Sequence, residues 1–454
     1  MQKSLFSAEE PNHSEWYCFK NSRWGRLYDT IPWDELESCL PAICRGPTPY
    51  FGRKGKFALM LLKHELGVSD EALIEHVNTN PCLQRFCHMH LALGQRIGDT
   101  GIVSRVRSYL AYYADLDQVQ AILAAYWQDD INFKQVLKVD AVCYESYIRY
   151  PTDVKLLWES CEWVYKQQLF TLRKRLKVPL GKEKERFDVQ HRKYISYAKL
   201  KRKAHKKKRG RIKSLLNLLT RGLEALQTLL NTGQLAEQLT EPFYTYLGTI
   251  KQVLRQQRYL YHHPGNRVPD RIVSLHKPYI RPIKRGKENK PTEFGAKVHM
   301  MQTDSLCWVE HFSFRAFNEC KRFKISVLKH KVMFRKCSQA SADRIYATNE
   351  NRRFCRKHNI FHNFDPKGPR PKDQRWAKEH RRLKDSLNKD RATRLEGSFG
   401  NHKNHYGLSK VKARNEDNER VWIYFGVFTA NAVQVANQRQ KQKKQIAQPV
   451  GQAA

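Results

Sequence analysis

The stretch that most constrains this chain is residues 135–144, which read QVLKVDAVCY. It is a nearly continuous apolar run of strand length, the pattern of a central strand covered on both faces. Such a strand needs helices around it, so the run points to an α/β architecture. One carboxylate, Asp140, sits in its middle. A carboxylate taken out of water is costly unless it is paired or bound to a cation. Two readings stay open for Asp140: a metal-binding or catalytic acid, or a strand-end acid facing solvent or paired with a lysine.

The residues before this run read as helices. Residues 57–66 form an apolar-rich helix stopped by Gly67, Ser69 caps a helix over 70–77, and Asn78 to Pro81 breaks it. Helix, glycine turn and second helix fit either a helix-turn-helix or plain helical packing. Residues 102–127 are a further amphipathic stretch. After the strand, Pro151 marks a break and Asp153 is placed to cap a helix running to Tyr165.

Residues 171–215 hold 19 Lys/Arg against 3 Asp/Glu, peaking over 201–211. Leu216, Leu219, Leu223, Leu226 and Leu230 follow at helical spacing, too briefly for a coiled coil, and predict a hairpin or small bundle with a partner helix in 243–261. Alternating residues in 294–300 and 308–314, separated by Thr303-Asp304-Ser305, predict a β-hairpin. Residues 366–395 carry 11 Lys/Arg and 4 Asp/Glu in a helical pattern, 415–437 read as a final helix, and 438–454 as a disordered Gln/Lys-rich tail.

The whole chain of 454 residues has 83 Lys+Arg against 44 Asp+Glu, a formal charge of +39. That charge calls for an anionic partner, nucleic acid first and an acidic membrane surface second. No apolar run reaches the roughly 18–20 residues that span a bilayer, and the first residues lack a signal-peptide core, so no membrane insertion is expected. Eleven cysteines without a CxxC pair read as a reduced cytosolic protein. Cys82, Cys87, His88 and His90 cluster, but not at zinc-finger spacing. His402 and His405 lie near Glu396, where contact with DNA is one reading.

Two further acids stand out. Asp343 precedes a helical stretch, and Glu396 lies in a basic helical context with Lys403 seven residues on, two turns along the same face. Hard divalent ions bind through a few carboxylates plus substrate phosphate oxygens. A pair of them can activate an attacking oxygen and stabilise a leaving one.

With those residues, the chain resembles bacterial insertion-sequence transposases of the DDE superfamily, most closely the four/five-type group. The resemblance is carried by residues 52–77 (GRKGKFALMLLKHELGVSDEALIEHV), 139–159 (VDAVCYESYIRYPTDVKLLWE), 268–287 (VPDRIVSLHKPYIRPIKRGK), 293–297 (EFGAK), 342–360 (ADRIYATNENRRFCRKHNI) and 395–408 (LEGSFGNHKNHYGL). It implies an RNase H-like catalytic domain, here 131–165 and 268–437, interrupted by a basic helical insertion over 166–267. An all-α DNA-binding or dimerisation region over 1–130 would precede it. It implies Asp140, Asp343 and Glu396 as catalytic and metal-binding residues for two Mg²⁺, with Mn²⁺ able to substitute. Lys403, Arg285, Lys287, Lys297, Arg344 and Tyr406 would then hold DNA. The implied activity is metal-dependent cleavage and strand transfer at terminal inverted repeats, by a homodimer on double-stranded DNA in the bacterial cytoplasm at the nucleoid. A catalytically degenerate, transposase-derived DNA-binding protein is the alternative.

The sequence departs from the family pattern at three places. Val142 stands where a Thr is common. Ala392 occupies the position four before the Glu where an Arg is common, with Arg391 and Arg394 nearby. Residues 336–341 (KCSQAS) make a poor strand before Asp343. Asp304 is a rival second acid, although its place between two strands favours a turn role.

Overall fold

A computed structural model of the chain describes residues 10–42, 49–92, 94–232, 239–284, 291–365, 367 and 377–447. It is a mixed α/β protein with six strands: β1 (Val136–Glu145), β2 (Pro282–Lys284), β3 (Thr292–Thr303), β4 (Leu306–Ser313), β5 (Gln339–Ala342) and β6 (Phe361–His362). The chain divides into two compact units, one of residues 1–147 with 296–454 and one of residues 148–295.

In the first unit the sheet order is β4–β3–β1–β5–β6. The apolar run forms β1 at its centre, where the side chains from Leu137 to Glu145 are buried except Asp140, which is partly exposed. β5 runs parallel to β1, from Val136 opposite Gln339 to Val139 opposite Ala342, and β6 runs parallel to β5. β3 and β4 form the expected antiparallel hairpin, closed at Thr303 and Leu306, with Asp304 in the left-handed region at φ 53°. Aspartate tolerates that backbone better than most side chains.

The weak strand before Asp343 forms all the same. Ala340, Ser341 and Ala342 are fully or almost fully buried, and the Ser341 hydroxyl donates to the Leu387 carbonyl at 3.0 Å. The helix Ala377–Asp390 packs on β5. Small side chains let that helix approach closely, so here the packing, not β-propensity, makes the strand.

The N-terminal helices do not form a unit of their own, contrary to a separate region over 1–130. The helix Arg53–Leu66 is buried from Gly55 to His64, and it and the helix Ile102–Tyr113 pack against the final helix, Glu416–Ala447. That final helix carries the apolar run Val421 to Phe428, and Phe57 stacks on Phe425 with ring centroids 6.0 Å apart. Chain ends thus meet in one core. Gly67 (φ 64°) ends the first helix, and the Ser69 hydroxyl accepts from the Ala72 N–H to start Asp70–Thr79, as the sequence predicts. The final helix also runs to Ala447, so residues 438–447 are helical and not a disordered tail: the Arg439 guanidinium grips Asp130 at 2.8 and 2.9 Å, and Gln438 donates to the Asp130 carbonyl.

The second unit holds the helices anticipated within 166–267, together with flanking segments. Thr152, not Asp153, caps the helix Asp153–Glu162, its hydroxyl accepting from the Lys155 N–H. Asp153, in the first turn, instead binds Arg271, Gln257 and Lys208. A π-helical segment, Trp163–Leu169, follows directly. The predicted leucines line one face of the helix His205–Leu230, which packs on Glu241–His262 and on Asp153–Glu162 in a small bundle. Gly222 is required there: a Cβ would stand 2.3 Å from the Tyr165 ring. β2 pairs antiparallel with residues 292–294 at the start of β3. Among the described residues no helix is long and apolar enough to cross a membrane.

Candidate active site

The parallel pairing of β1 and β5 ends at Val139 and Ala342. One residue further on each strand stand Asp140 and Asp343. Register therefore sets the two acids side by side at the same end of the sheet. Asp140 accepts from the Ala141 N–H and Asp343 from the Arg344 N–H, each at 2.7 Å.

The third acid arrives on a helix. After Ala377–Asp390 the chain makes a π-helical turn, Arg391–Leu395, and Glu396 begins the helix Glu396–His405. The Glu396 N–H donates to the Arg391 carbonyl, an i→i+5 bond. That extra residue in the turn brings Arg391 and Glu396 onto one face, as a four-residue spacing would in an ordinary α-helix. The common Arg four positions before the Glu is absent from the sequence, and Arg391 takes up a comparable place through the π turn.

Arg391 is the centre of the site. Its Nη1 lies 3.1 Å from Asp140 Oδ2 and 3.2 Å from Glu396 Oε1, and its Nη2 lies 3.9 Å from Asp343 Oδ1. One guanidinium thus draws together two acids of the C-terminal half and a third, Asp140, about two hundred positions earlier in the sequence. Asp140 is the buried member, its side chain 18% exposed against 56% for Asp343 and 54% for Glu396. Burial pushes the Asp140 carboxyl up to about 6, against the pull of the Ala141 N–H and of Arg391, with Glu319 and Asp343 adding repulsion. Lys297, expected to touch DNA, pairs with that Glu319 at 2.6 Å and donates to the Phe317 carbonyl at 3.0 Å.

A buried ionic network behind the acids fixes the π turn. Lys138 lies on the same face of β1 as Asp140, and only 1% of its side chain is exposed. Its ammonium donates to Asp390 at 2.6 Å and to the Asp304 carbonyl at 2.7 Å. Arg394 in turn binds Asp390 at 2.8 Å and Asp304 at 2.7 Å. Asp304 is therefore a turn residue anchoring Arg394. Asn363 fixes the end of β5: its side-chain carbonyl accepts from Ala342 N–H at 3.0 Å and its amide donates to the Ala342 carbonyl at 2.8 Å. Its amide also donates to Asn388 Oδ1 at 2.7 Å, and the sequence offered no signal for Asn363 because these partners are reached only in the fold.

The other predicted residues fall in different places. Arg344 is exposed beside Asp343. Lys403 is half-buried on the helix Glu396–His405, where it already has a polar partner. Tyr406 is 7% exposed, and its carbonyl is bonded to His64 Nδ1 at 2.9 Å, so its ring is withdrawn into the core and is not a DNA contact. His402 is also buried, with Nδ1 2.8 Å from the Tyr144 hydroxyl, and burial lowers it to about 4. Arg285 and Lys287 lie outside the described residues. In the cysteine–histidine cluster, Cys87 is buried and His88 packs against Tyr28 and Trp33.

The donor set at the acids is all oxygen, which suits a hard divalent cation and not a soft metal. The guanidinium shared by all three carboxylates marks the spot where positive charge is favoured. As the side chains stand, no three carboxylates, imidazoles or thiols among the described residues are close enough to form one cage.

Three acids at strand and helix ends thus gather around one arginine in a strongly cationic α/β protein. Residues 340–430 match the family model described as the transposase DDE domain. That match, confined to this segment, supports a likeness to DDE transposases. The matched segment contains Asp343, Arg391 and Glu396, while Asp140 comes to them through the β1–β5 pairing. No curated protein and no solved structure matches the chain.

Proposed function

We propose that this protein is an insertion-sequence transposase of the four/five-type group that binds terminal inverted repeats and carries out DNA strand cleavage and strand transfer. The observation that carries the reading is the convergence of Asp140, Asp343 and Glu396 on Arg391. The strand order, with a parallel β1–β5–β6 half and an antiparallel β3–β4 hairpin, supports an RNase H-like catalytic domain with residues 166–267 as its insertion.

Asp140, Asp343 and Glu396 would hold two Mg²⁺, or Mn²⁺ in their place. Bound there, the ions supply charge neutralisation at the phosphate and a lowered pKa for the attacking oxygen. The protein's own contribution is positioning. β1 and β5 hold two acids in register, and the Lys138–Asp390–Arg394–Asp304 network holds the turn that delivers the third. Arg391, once displaced from the acids, is placed to bind a phosphate oxygen of the strand being cut. The exposed lysines and arginines of the bundle, above all over 201–211, would track the DNA backbone and release counterions. Two copies acting on two transposon ends complete the proposal.

The test is strand cleavage and joining on a duplex carrying the inverted repeat that flanks this gene, with Mg²⁺ or Mn²⁺. Loss of both reactions in Asp140→Ala and Glu396→Gln, with DNA binding kept, is expected. Full activity in either variant would sink the assignment. The occupation of the acid site by Arg391 favours one second reading, a degenerate transposase that only binds DNA. Metal-independent binding by the wild type with no nicking would establish it.

A further inference from the structure

Beside Asp343 lies a cleft of about 420 Å³ that extends from the acid site to Arg352, Asn363 and Phe364. Its cationic side chains are Arg344, Arg352, Lys367, Lys384 and Arg391, against two acids, Asp343 and Asp365. Two of these cations are already committed. Arg391 is held by the three acids, and Lys384 pairs with Asp365. Arg344 and Arg352 form no ion pair among the described residues.

Arg352 is the telling residue. Its guanidinium lies over the Phe364 ring, 5.7 Å from the centroid, and its Nε is buried with no hydrogen-bond acceptor. A buried donor without a partner is costly, and most such groups in folded proteins are satisfied. A guanidinium fork clamped on an aromatic face is a good receptor for the oxygens of a phosphate. The neutral walls of the cleft, Ala342, Ala347, Asn363 and Asn388, leave room beside it.

We propose that this cleft is a phosphate-binding subsite for the DNA strand that enters the acid site, with Arg352 and Arg344 as its ligands. Asp343 lines the same cleft, so a strand seated there runs directly past the acids. The inference rests on the nucleic-acid substrate proposed above and adds a position along the strand where the protein holds it.

The test measures binding of a fluorescent 30-base-pair duplex of random sequence to the full chain in metal-free buffer across a KCl series. Arg352→Gln and Arg344→Gln are each expected to weaken binding several-fold and to make the salt dependence shallower by about one unit of slope. Arg344 is exposed, so its variant carries the test if Arg352→Gln does not fold. Affinity and slope unchanged in folded variants would overturn the subsite. So would competition by inorganic phosphate at millimolar concentration with an unchanged slope, which would mark a pocket for free anion. Cleavage is scored separately with Mg²⁺. Shallower slopes without any cleavage would sink the transposase reading and keep the subsite. Intact cleavage with unchanged slopes would do the reverse.

Discussion

Arg391 and Glu396 are joined twice across one π-helical turn: the Glu396 N–H donates to the Arg391 carbonyl, and the Arg391 guanidinium lies 3.2 Å from the Glu396 carboxylate. The backbone bond fixes the spacing that the side-chain bond needs. A five-residue separation on a regular α-helix turns the two side chains well apart, and the π turn removes that difference. π bulges concentrate at functional sites, and here the bulge sits between the basic residue and the acid it serves.

The first prediction concerns Arg391 as internal counterion. Removing it leaves three carboxylates facing one another around a partly buried Asp140. Arg391→Ala should lower the stability of the metal-free protein by roughly 1–2 kcal/mol, discounted because two of the acids are half exposed. Millimolar Mg²⁺ should recover much of that loss, since the ion replaces the missing positive charge. Thermal unfolding with and without Mg²⁺ reads both effects. A loss that Mg²⁺ does not reduce would mean Arg391 acts elsewhere than on the acids.

A second prediction follows from Asp140, whose carboxyl is pushed up to about 6 by burial. Its ordinary value is 3.8, so the folded state favours the protonated form. Holding the charged form therefore costs stability above pH 6, and that cost is relieved as pH falls from 6 towards 4. Asp140→Asn should stabilise the metal-free protein at pH 8 by about 1–3 kcal/mol, and the gain should vanish near pH 4. Divalent-ion binding must expel the proton, so cleavage by the wild type should rise with pH through about 6. Denaturant unfolding at pH 4 and 8, with a pH–rate profile, checks the sign.

Much of this architecture was legible in the sequence, and the exceptions have physical causes. The β1 run, the β3–β4 hairpin, the Gly67–Ser69 helix junction and the leucine face of the bundle all follow from local periodicity and capping. β5 does not, because its Gln-Ala-Ser-Ala composition reflects a closely packed helix and not strand propensity. Tyr406 and His402 sit in a motif full of polar residues, yet the fold buries both, and no periodicity distinguishes them from their exposed neighbours. The extension of the last helix to Ala447 depends on Arg439 reaching Asp130, a contact about three hundred positions away that local composition cannot reveal. Asp140 stood out in its apolar strand, but the three acids could be grouped only through family resemblance, while Lys138, Asn363 and the π turn needed coordinates.

Lys138 gives the third prediction. Its ammonium is almost wholly buried on β1 and bonds Asp390 and the Asp304 carbonyl. Burial lowers its pKa, and the pairing with Asp390 opposes that shift. Lys138→Met keeps the bulk but removes the buried partner of Asp390 and of the Asp304 carbonyl, at a cost of about 2–4 kcal/mol, below a fully buried pair because Asp390 remains partly wet and keeps Arg394. The π turn then loses its anchor, so cleavage should fall further than DNA affinity. Comparing melting temperature, kcat and Kd in one variant separates this from a general loss of fold, which would lower the first two and raise Kd in step.

The last prediction separates two aspartates that sequence alone left in competition. Asp343 stands one residue past the end of β5, its side chain is 56% exposed, and among the described residues it bonds the adjacent Arg344 N–H and, at longer range, Arg391. Asp304 occupies a left-handed turn position, is buried, and binds Arg394 and the Asn132 N–H. Asp343→Asn should leave stability within about 0.5 kcal/mol, the usual range for exposed substitutions. It should cut strand cleavage by at least about a thousandfold, as expected when a metal-binding carboxylate is lost from a phosphoryl-transfer site. Asp304→Asn should do the opposite: it should cost about 1–3 kcal/mol through the broken Arg394 pair and retain measurable cleavage. Paired unfolding and cleavage assays on the two variants decide the matter, and a stable, inactive Asp304→Asn would reverse the assignment of the second acid.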